Sequence, residues 1–316
     1  MAERVLVTGA DGFVGHAVCQ YLARQGHPVC GVVRGDRERP SNVEFAQIED
    51  LVTLTPSQWA ELLEGVKVVV HCAALVHQMK GVTDPNAYYR VNTTATSMLA
   101  EAAANAGVQR LIFLSTVKVL GEFTKPERPF RADDPANPQD DYARSKWLAE
   151  QALTNIGERT GMDVVIIRPP LIYGPGVGGN FEALMRLVAK GVPLPLGAVN
   201  NRRSLLAIDN LLDLLALCVR RHASMAGTFL VSDGRDVSTR ELVSAMARAQ
   251  SVSARLLPVP VSILRLVASW LGKKAAVERL CGDLCVDIRA TRSAWNREPQ
   301  HSLAECCNWQ TVDKND

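Results

Sequence analysis

Residues 4–15 read RVLVTGADGFVG. A β-branched run, Arg4–Val7, leads into Gly9, Gly12 and Gly15, and a helix-period stretch, Phe13–Gln25, follows. The spacing is G-x-x-G-x-x-G rather than G-x-G-x-x-G. Its physical demands are the same: a tight turn, backbone that can approach a pyrophosphate, and a glycine that lets helix pack close to strand. The opening turn of the helix, Phe13, Val14 and Gly15, then offers free N–H groups and a positive dipole end to an anion. This stretch reads as the start of a dinucleotide-binding unit.

Working outward, the same alternation repeats. Continuous apolar runs lie at Val29–Val33, Val66–His71, Arg110–Leu114 and Asp163–Ile167. Runs of this kind suit strands buried on both faces. Helix-period stretches separate them at Pro56–Glu64, Tyr88–Ala106 and Tyr142–Thr160. The pattern predicts an α/β fold, a Rossmann-type doubly wound parallel sheet, spanning 1–170. From 171 to 316 the rhythm changes. Gly and Pro cluster at Pro169–Gly179 and Gly191–Gly197, and helices are predicted at Asn180–Lys190, Asp209–Arg221, Thr239–Ala249 and Pro260–Cys281, with one strand at Gly227–Val231. This reads as a smaller C-terminal substrate-binding lobe from which the chain crosses back to the sheet.

Charge and composition remove other classes. Lys and Arg number 35 against 33 Asp and Glu, so no basic excess marks a nucleic-acid partner. With 47% hydrophobic and 22% charged residues the chain is globular rather than disordered. The eight cysteines include no C-x-x-C pair, which argues against a zinc site or a disulfide framework and for reduced thiols; no metal is expected. The opening MAERVLVTGA does not read as a signal peptide, and no run is long enough to span a bilayer. The best membrane candidate, PVSILRLVASWL at 260–271, is short and reads as a core or interface helix. A cytoplasmic location is expected.

The second strand ends in Val33-Arg34-Gly35-Asp36-Arg37. An acid at that point selects NAD by binding the ribose hydroxyls, whereas Arg accommodates a 2′-phosphate. Arg34 and Arg37 favour NADP(H) over NAD, with Asp36 a competing acid past the turn.

Tyr142 and Lys146 stand four apart at a predicted helix start, on one helix face. An ammonium beside a phenol favours phenolate and lowers its pKa, so this tyrosine can exchange a proton with a sugar hydroxyl or carbonyl. Upstream, the strand at 111–114 ends in Ser115-Thr116, where a hydroxyl can reach the same substrate oxygen.

With TGADGFVG at 8–15, HCAAL at 71–75, RVN at 90–92, FLSTVKV at 113–119, YARSK at 142–146 and RPPLIYGPG at 168–176, the chain resembles an extended short-chain dehydrogenase/reductase of the nucleotide-sugar epimerase/dehydratase group over nearly its whole length. The resemblance implies Tyr142 as acid/base, Lys146 as the group that holds the nicotinamide ribose and tunes the tyrosine, and Thr116 rather than Ser115 as the polarising hydroxyl. It further implies that Asp50, Leu51, Ala73, Ala74, Asn92 and Pro169 line the cofactor. Leu120-Gly121 replaces the Tyr-Gly that many members carry. In the second lobe it implies Asn180 and Arg203 on the diphosphate of a UDP-sugar, with helix capping and a surface charge as their plain alternatives. VHQMKG at 76–81, which holds His77 and Met79, faces the sugar by the same reasoning.

Together with the unusual Lys118, these features resemble a bacterial surface-polysaccharide subgroup, as in O-antigen synthesis, that acts at carbon 4 of UDP-N-acetylhexosamines. The resemblance implies reduction of a UDP-4-keto-6-deoxy-N-acetylhexosamine, as in UDP-N-acetylquinovosamine formation, by a homodimer. A UDP-glucose or UDP-N-acetylglucosamine 4-epimerase needs the same three residues. A 4,6-dehydratase would need Asp-Glu where Val117-Lys118 stand. A non-catalytic dinucleotide sensor on the same fold is the remaining alternative.

Overall fold

Val5, Leu6 and Val7, like Val68, Val69 and Val70, are buried whichever way their side chains point. Only a sheet covered by helices on both faces allows that. The computed structural model of the chain describes residues 3–35, 42–76 and 84–303. Its first half runs β1 (Arg4–Thr8), α1 (Phe13–Arg24), β2 (Val29–Val33), β3 (Glu44–Gln47), α2 (Pro56–Leu62), β4 (Val66–His71), α3 (Asn86–Tyr88), α4 (Ala95–Asn105), β5 (Arg110–Leu114), α5 (Asp141–Thr160) and β6 (Asp163–Arg168). A π-helical stretch, Tyr89–Thr94, joins α3 to α4. The second half runs β7 (Leu171–Tyr173), α6 (Gly179–Ala189), β8 (Leu205–Ala207), α7 (Ile208–Arg220), β9 (Gly227–Leu230), α8 (Thr239–Ala249), α9 (Val261–Trp270), α10 (Lys274–Cys281) and α11 (Arg289–Trp295).

The main sheet has the order β3-β2-β1-β4-β5-β6-β9. The pairs from β3 to β6 are parallel, with Val7 beside Gly31 on one side and Val70 on the other. The order reverses between β1 and β4, and in such sheets ligands bind at the carboxyl ends beside that reversal. The turn after β1, Cys72 after β4, Ser115 after β5 and Pro169 after β6 all leave strands at that edge. The doubly wound parallel sheet expected from the sequence is present.

Backbone contacts divide the chain into two units. The first holds residues up to Leu120, Pro135–Pro169 and Leu211–Phe229; the second holds Gly121–Asp134, Pro170–Asn210 and everything from Leu230. In the first, Arg110 is one of the side chains that fasten the return segment, with Asp163 bonding Ser224 and Met225 and Tyr21 bonding Asp213. Arg110 bonds Asp163 through Nε at 2.7 Å and donates to the carbonyl of Ala223 at 2.8 Å and to those of Cys218 and Arg221. Five N–H donors on a planar fork make arginine suited to this. In the second, Phe130 N donates to Cys285 O and Asp287 N donates to Phe130 O, each at 2.8 Å, which draws 121–134 into that unit.

Four local expectations change. β3 carries half-exposed residues and too few apolar ones to show as a strand. The second half contains β7 and β8, paired in parallel, besides the one strand expected there; at three residues each they fall below any periodicity. The single helix expected at Pro260–Cys281 is two, because Gly272 takes φ +66° and ends the first. The helix α11 was not expected.

Candidate active site

The glycine turn is built by close approach. Gly9 has φ +69°, and a Cβ there would lie 2.7 Å from the backbone of Ala73. A Cβ on Gly15 would lie 2.2 Å from the Gly9 carbonyl oxygen. So the turn after β1 nests against the stretch after β4, and α1 nests against the turn. Gly12, the N-cap of α1, brings no capping side chain, and no acid stands in the first turn. The N–H groups of Phe13 and Val14 therefore open the helix without a side-chain cap.

At the end of β2 the Arg34 side chain is exposed, while its backbone N–H donates to Asp11 Oδ2 at 3.3 Å. A carboxylate from the glycine loop thus reaches the site where a ribose-binding acid is expected. Arg37 and Asp36 lie outside the described residues, as do His77 and Met79. Asp50 caps the short turn Leu51–Thr53 by accepting from Val52 N, and Leu51 is buried in the core. Ala73 and Ala74 are half-buried. Pro169 is buried, and its carbonyl accepts from Val117 N at 2.9 Å.

Asn92 sits in the π-helical stretch, completely buried. Its amide accepts from Leu75 N at 2.7 Å and donates to Leu75 O and Ser145 Oγ, each at 3.0 Å. These bonds fix the stretch after β4 to α5. A widened turn is a recurrent feature beside functional sites. Below it runs a buried network that sequence reasoning quoted, as HCAAL, without giving it a role. Thr96 donates to Asn92 O, so it accepts from His71 Nε2–H at 2.8 Å, and His71 Nδ1 accepts from Thr8 at 2.6 Å. Burial lowers the His71 pKa to about 3, so the ring is neutral.

Three elements meet at the acid/base pair. Asp140 caps α5 by accepting from Ala143 N at 2.7 Å, which sets Tyr142 and Lys146 in its first two turns. Thr116, in extended backbone just after β5, sets its side chain beside the Tyr142 phenol. Ser115 points elsewhere: its hydroxyl donates to Glu150, which is also gripped by Arg168 through Nε at 3.0 Å and Nη2 at 2.6 Å. Tyr88 sets its ring edge-to-face on Tyr142 at 6.4 Å. Lys146 is buried with Nζ 4.0 Å above the Phe113 ring.

The electrostatics differ from expectation. Burial first, and then the Asp140 charge, push the Tyr142 phenol up to about 12, outweighing the Thr116 hydroxyl. Desolvation lowers Lys146 to about 7 against the opposing pull of Glu150. A lysine that is itself half deprotonated near neutral pH does not bring the phenol down. At neutral pH Tyr142 is therefore a neutral acid.

In the second unit Asn180 is the second residue of α6 and is exposed. Gly178 is the N-cap, so Asn180 is not the helix cap. The Arg203 guanidinium donates to Arg279 O at 2.8 Å and Gly282 O at 3.1 Å, closing the carboxyl end of α10. Its neighbour Arg202 is exposed and bonded to Asp236 at 2.9 Å. Asn201 is a buried bracket: it donates to Leu280 O and Gly282 O and accepts from Thr239 N.

A family model described as the NAD dependent epimerase/dehydratase family matches residues 5–231. The chain belongs to that family. A UDP-glucose 4-epimerase of Vibrio cholerae is 41% identical over 309 residues, which cover 96% of this chain and 93% of that one. Among solved structures, a UDP-glucuronic acid 4-epimerase from Bacillus cereus in complex with NAD superposes with a TM-score of 0.77 at 21% identity, covering 96% and 94% of the two chains. A UDP-N-acetylglucosamine 4-epimerase from the same organism superposes with a TM-score of 0.79 at 16% identity, covering 100% and 98%. At those identities the likeness is one of fold.

An NAD-dependent epimerase/dehydratase needs a cradle for a pyrophosphate, and the turn after β1 has the geometry to fit one. The Gly9 and Gly15 positions admit no side chain, and the first turn of α1 lacks both a cap and an acid. The family uses NAD; the preference for NADP(H) read from Arg34 finds no support in it. A cavity of about 580 Å³ in the first unit, lined by Glu3, Val68, Gln109 and Thr228 among others, lies at the amino ends of the strands, away from the family's chemistry. Asp11 and His71, absent from the sequence-derived site, were signalled only by their place inside two quoted motifs.

Proposed function

We propose that this family member catalyses oxidation–reduction at carbon 4 of a UDP-linked sugar, with Tyr142 as acid/base. The observation that carries the reading is Tyr142 with buried Lys146 one turn further along α5, and the Thr116 side chain beside the phenol. NAD, when bound, supplies hydride exchange. Gly9, Gly12, Phe13, Val14 and Gly15 would hold its pyrophosphate, and Ala73 and Ala74 its flank. Thr116 orients the carbon-4 oxygen by a hydrogen bond. Tyr142 moves the proton on that oxygen, which general acid–base catalysis makes worth about 10²–10⁴ in rate. Lys146 would hold the nicotinamide ribose by hydrogen bonds from its buried amine. Asn180 and Arg203 belong to the same reading as diphosphate contacts.

The relative at 41% identity supports 4-epimerisation as the first reading. Reduction of a UDP-4-keto-6-deoxy-N-acetylhexosamine for surface polysaccharide is the second. It is favoured by Tyr142, which the protein keeps in the proton-donating form, and by exposed Arg34 at the ribose end, which suits NADPH. Both readings carry a cytoplasmic homodimer.

The test is to incubate the purified protein with UDP-glucose or UDP-N-acetylglucosamine without added cofactor, and separately with the UDP-4-keto-6-deoxy sugar and NADH or NADPH. Conversion to the 4-epimer in the first establishes the epimerase. Stoichiometric loss of absorbance at 340 nm in the second establishes the reductase, and the faster cofactor tests Arg34. Silence in both overturns the carbon-4 assignment.

A further inference from the structure

We infer that the outer face of α9 docks on a bilayer surface rich in anionic headgroups. The helix is apolar on two sides. Val261, Leu264 and Ala268 pack into the core of the second unit. On the other side Ile263 and Val267 are each 49% exposed, Leu266 59% and Trp270 86%. Those four recur at helical spacing and cover about 100° of the helix, a continuous stripe. Among the described residues Trp270, Leu271 and Leu266 are the large apolar side chains with the least cover, and single scattered ones would need no explanation whereas a stripe does.

Charge identifies the occupant. The segment 251–282 carries five basic residues, Arg255, Arg265, Lys273, Lys274 and Arg279, and one acid, Glu278, in a chain whose net charge is only +2. Glu278 is neutralised by Arg265 at 3.2 Å, which also ties α10 to α9. Lys273 and Lys274 follow the exposed Trp270 and Leu271 after Gly272 and are exposed themselves. An apolar stripe, a tryptophan at its end and adjacent lysines match an interfacial helix on anionic lipid. A second copy fits less well, because an isologous pairing would bring the basic surplus against itself. No described helix is long and apolar enough to cross a membrane, so the contact is a surface one.

The test uses the full chain in co-sedimentation with vesicles of phosphatidylcholine alone and of phosphatidylcholine with phosphatidylglycerol. The wild type should sediment with the anionic vesicles at about 0.1 M salt and be released at about 1 M. Trp270→Ser with Leu266→Ser should weaken this by about tenfold or more. Lys273→Glu with Lys274→Glu should weaken it on anionic vesicles alone. Unchanged circular dichroism of both variants shows that they fold. No sedimentation of the wild type, or equal sedimentation of wild type and variants, overturns the inference. So does a dimer in light scattering that the Trp270→Ser, Leu266→Ser protein loses, which would make the stripe a contact between copies.

Discussion

Lys118 Nζ lies 2.8 Å from Asp140 Oδ2. The residue two places after Thr116 is thereby tied to the residue two places before Tyr142, and the other oxygen of the same carboxylate caps α5. The pair joins the loop after β5 to the start of α5, across which Thr116 and Tyr142 must meet. It also neutralises the charge that raises the phenol. Lys118→Met should therefore raise the Tyr142 pKa further, moving the alkaline limb of the pH–rate profile up by a few tenths to about one pH unit. Adding Asp140→Asn, which keeps a capping side chain, should bring the limb back. A profile unmoved by Lys118→Met would remove the electrostatic role.

The adjacent hydroxyls should separate cleanly. Tyr142→Phe should lower turnover by about 100-fold or more while nucleotide affinity stays near normal. Thr116→Val should lower turnover by about tenfold or more, because the substrate oxygen loses the hydroxyl that orients it. Ser115→Ala should leave turnover within a few fold, since its hydroxyl serves Glu150. Steady-state kinetics of the three variants, with cofactor binding measured by titration, decide it. Equal losses for Ser115→Ala and Thr116→Val would undo the assignment.

Glu150 and Arg168 are both buried and bonded to each other. Arg168→Leu leaves the carboxylate without its cation and should destabilise by about 3–5 kcal/mol. Urea unfolding of the two proteins measures it. A change below about 1 kcal/mol would mean that water reaches Glu150.

His71 sets an acid limit on stability. The unfolded chain takes up this proton near pH 6.5, the folded protein only near pH 3. Because the folded pKa is the lower one, stability is fully present above 6.5 and falls as pH drops towards 3, by up to about 1.4 kcal/mol per pH unit for this group. Urea midpoints measured from pH 4 to 7 should slope accordingly. His71→Asn should be less stable at pH 7 but show a shallower slope, and an unaltered slope would assign the acid lability to other groups.

Much of this was readable before any coordinates. The strands at Val29–Val33, Val66–His71 and Arg110–Leu114 fall where the apolar runs placed them. Runs buried on both faces leave no alternative period to confuse them with. β7 and β8 were not readable, because three residues carry no period and their pairing joins Leu171 to Leu205 across the sequence. The stripe on α9 was read as a core or interface helix, since periodicity gives the apolar positions but not which of two apolar faces finds a partner.

Sequence by itself determined the glycine turn, the doubly wound sheet and the Tyr142–Lys146 spacing, because each rests on residues within one or two turns of each other. Tertiary structure alone decided that Thr116 meets the phenol while Ser115 turns to Glu150, that Lys118 finds Asp140, and that Asn92 reaches Ser145. Those choices depend on which groups are brought together after 20 to 60 residues of intervening chain, and on which of them lose water when they arrive. No spacing rule encodes either.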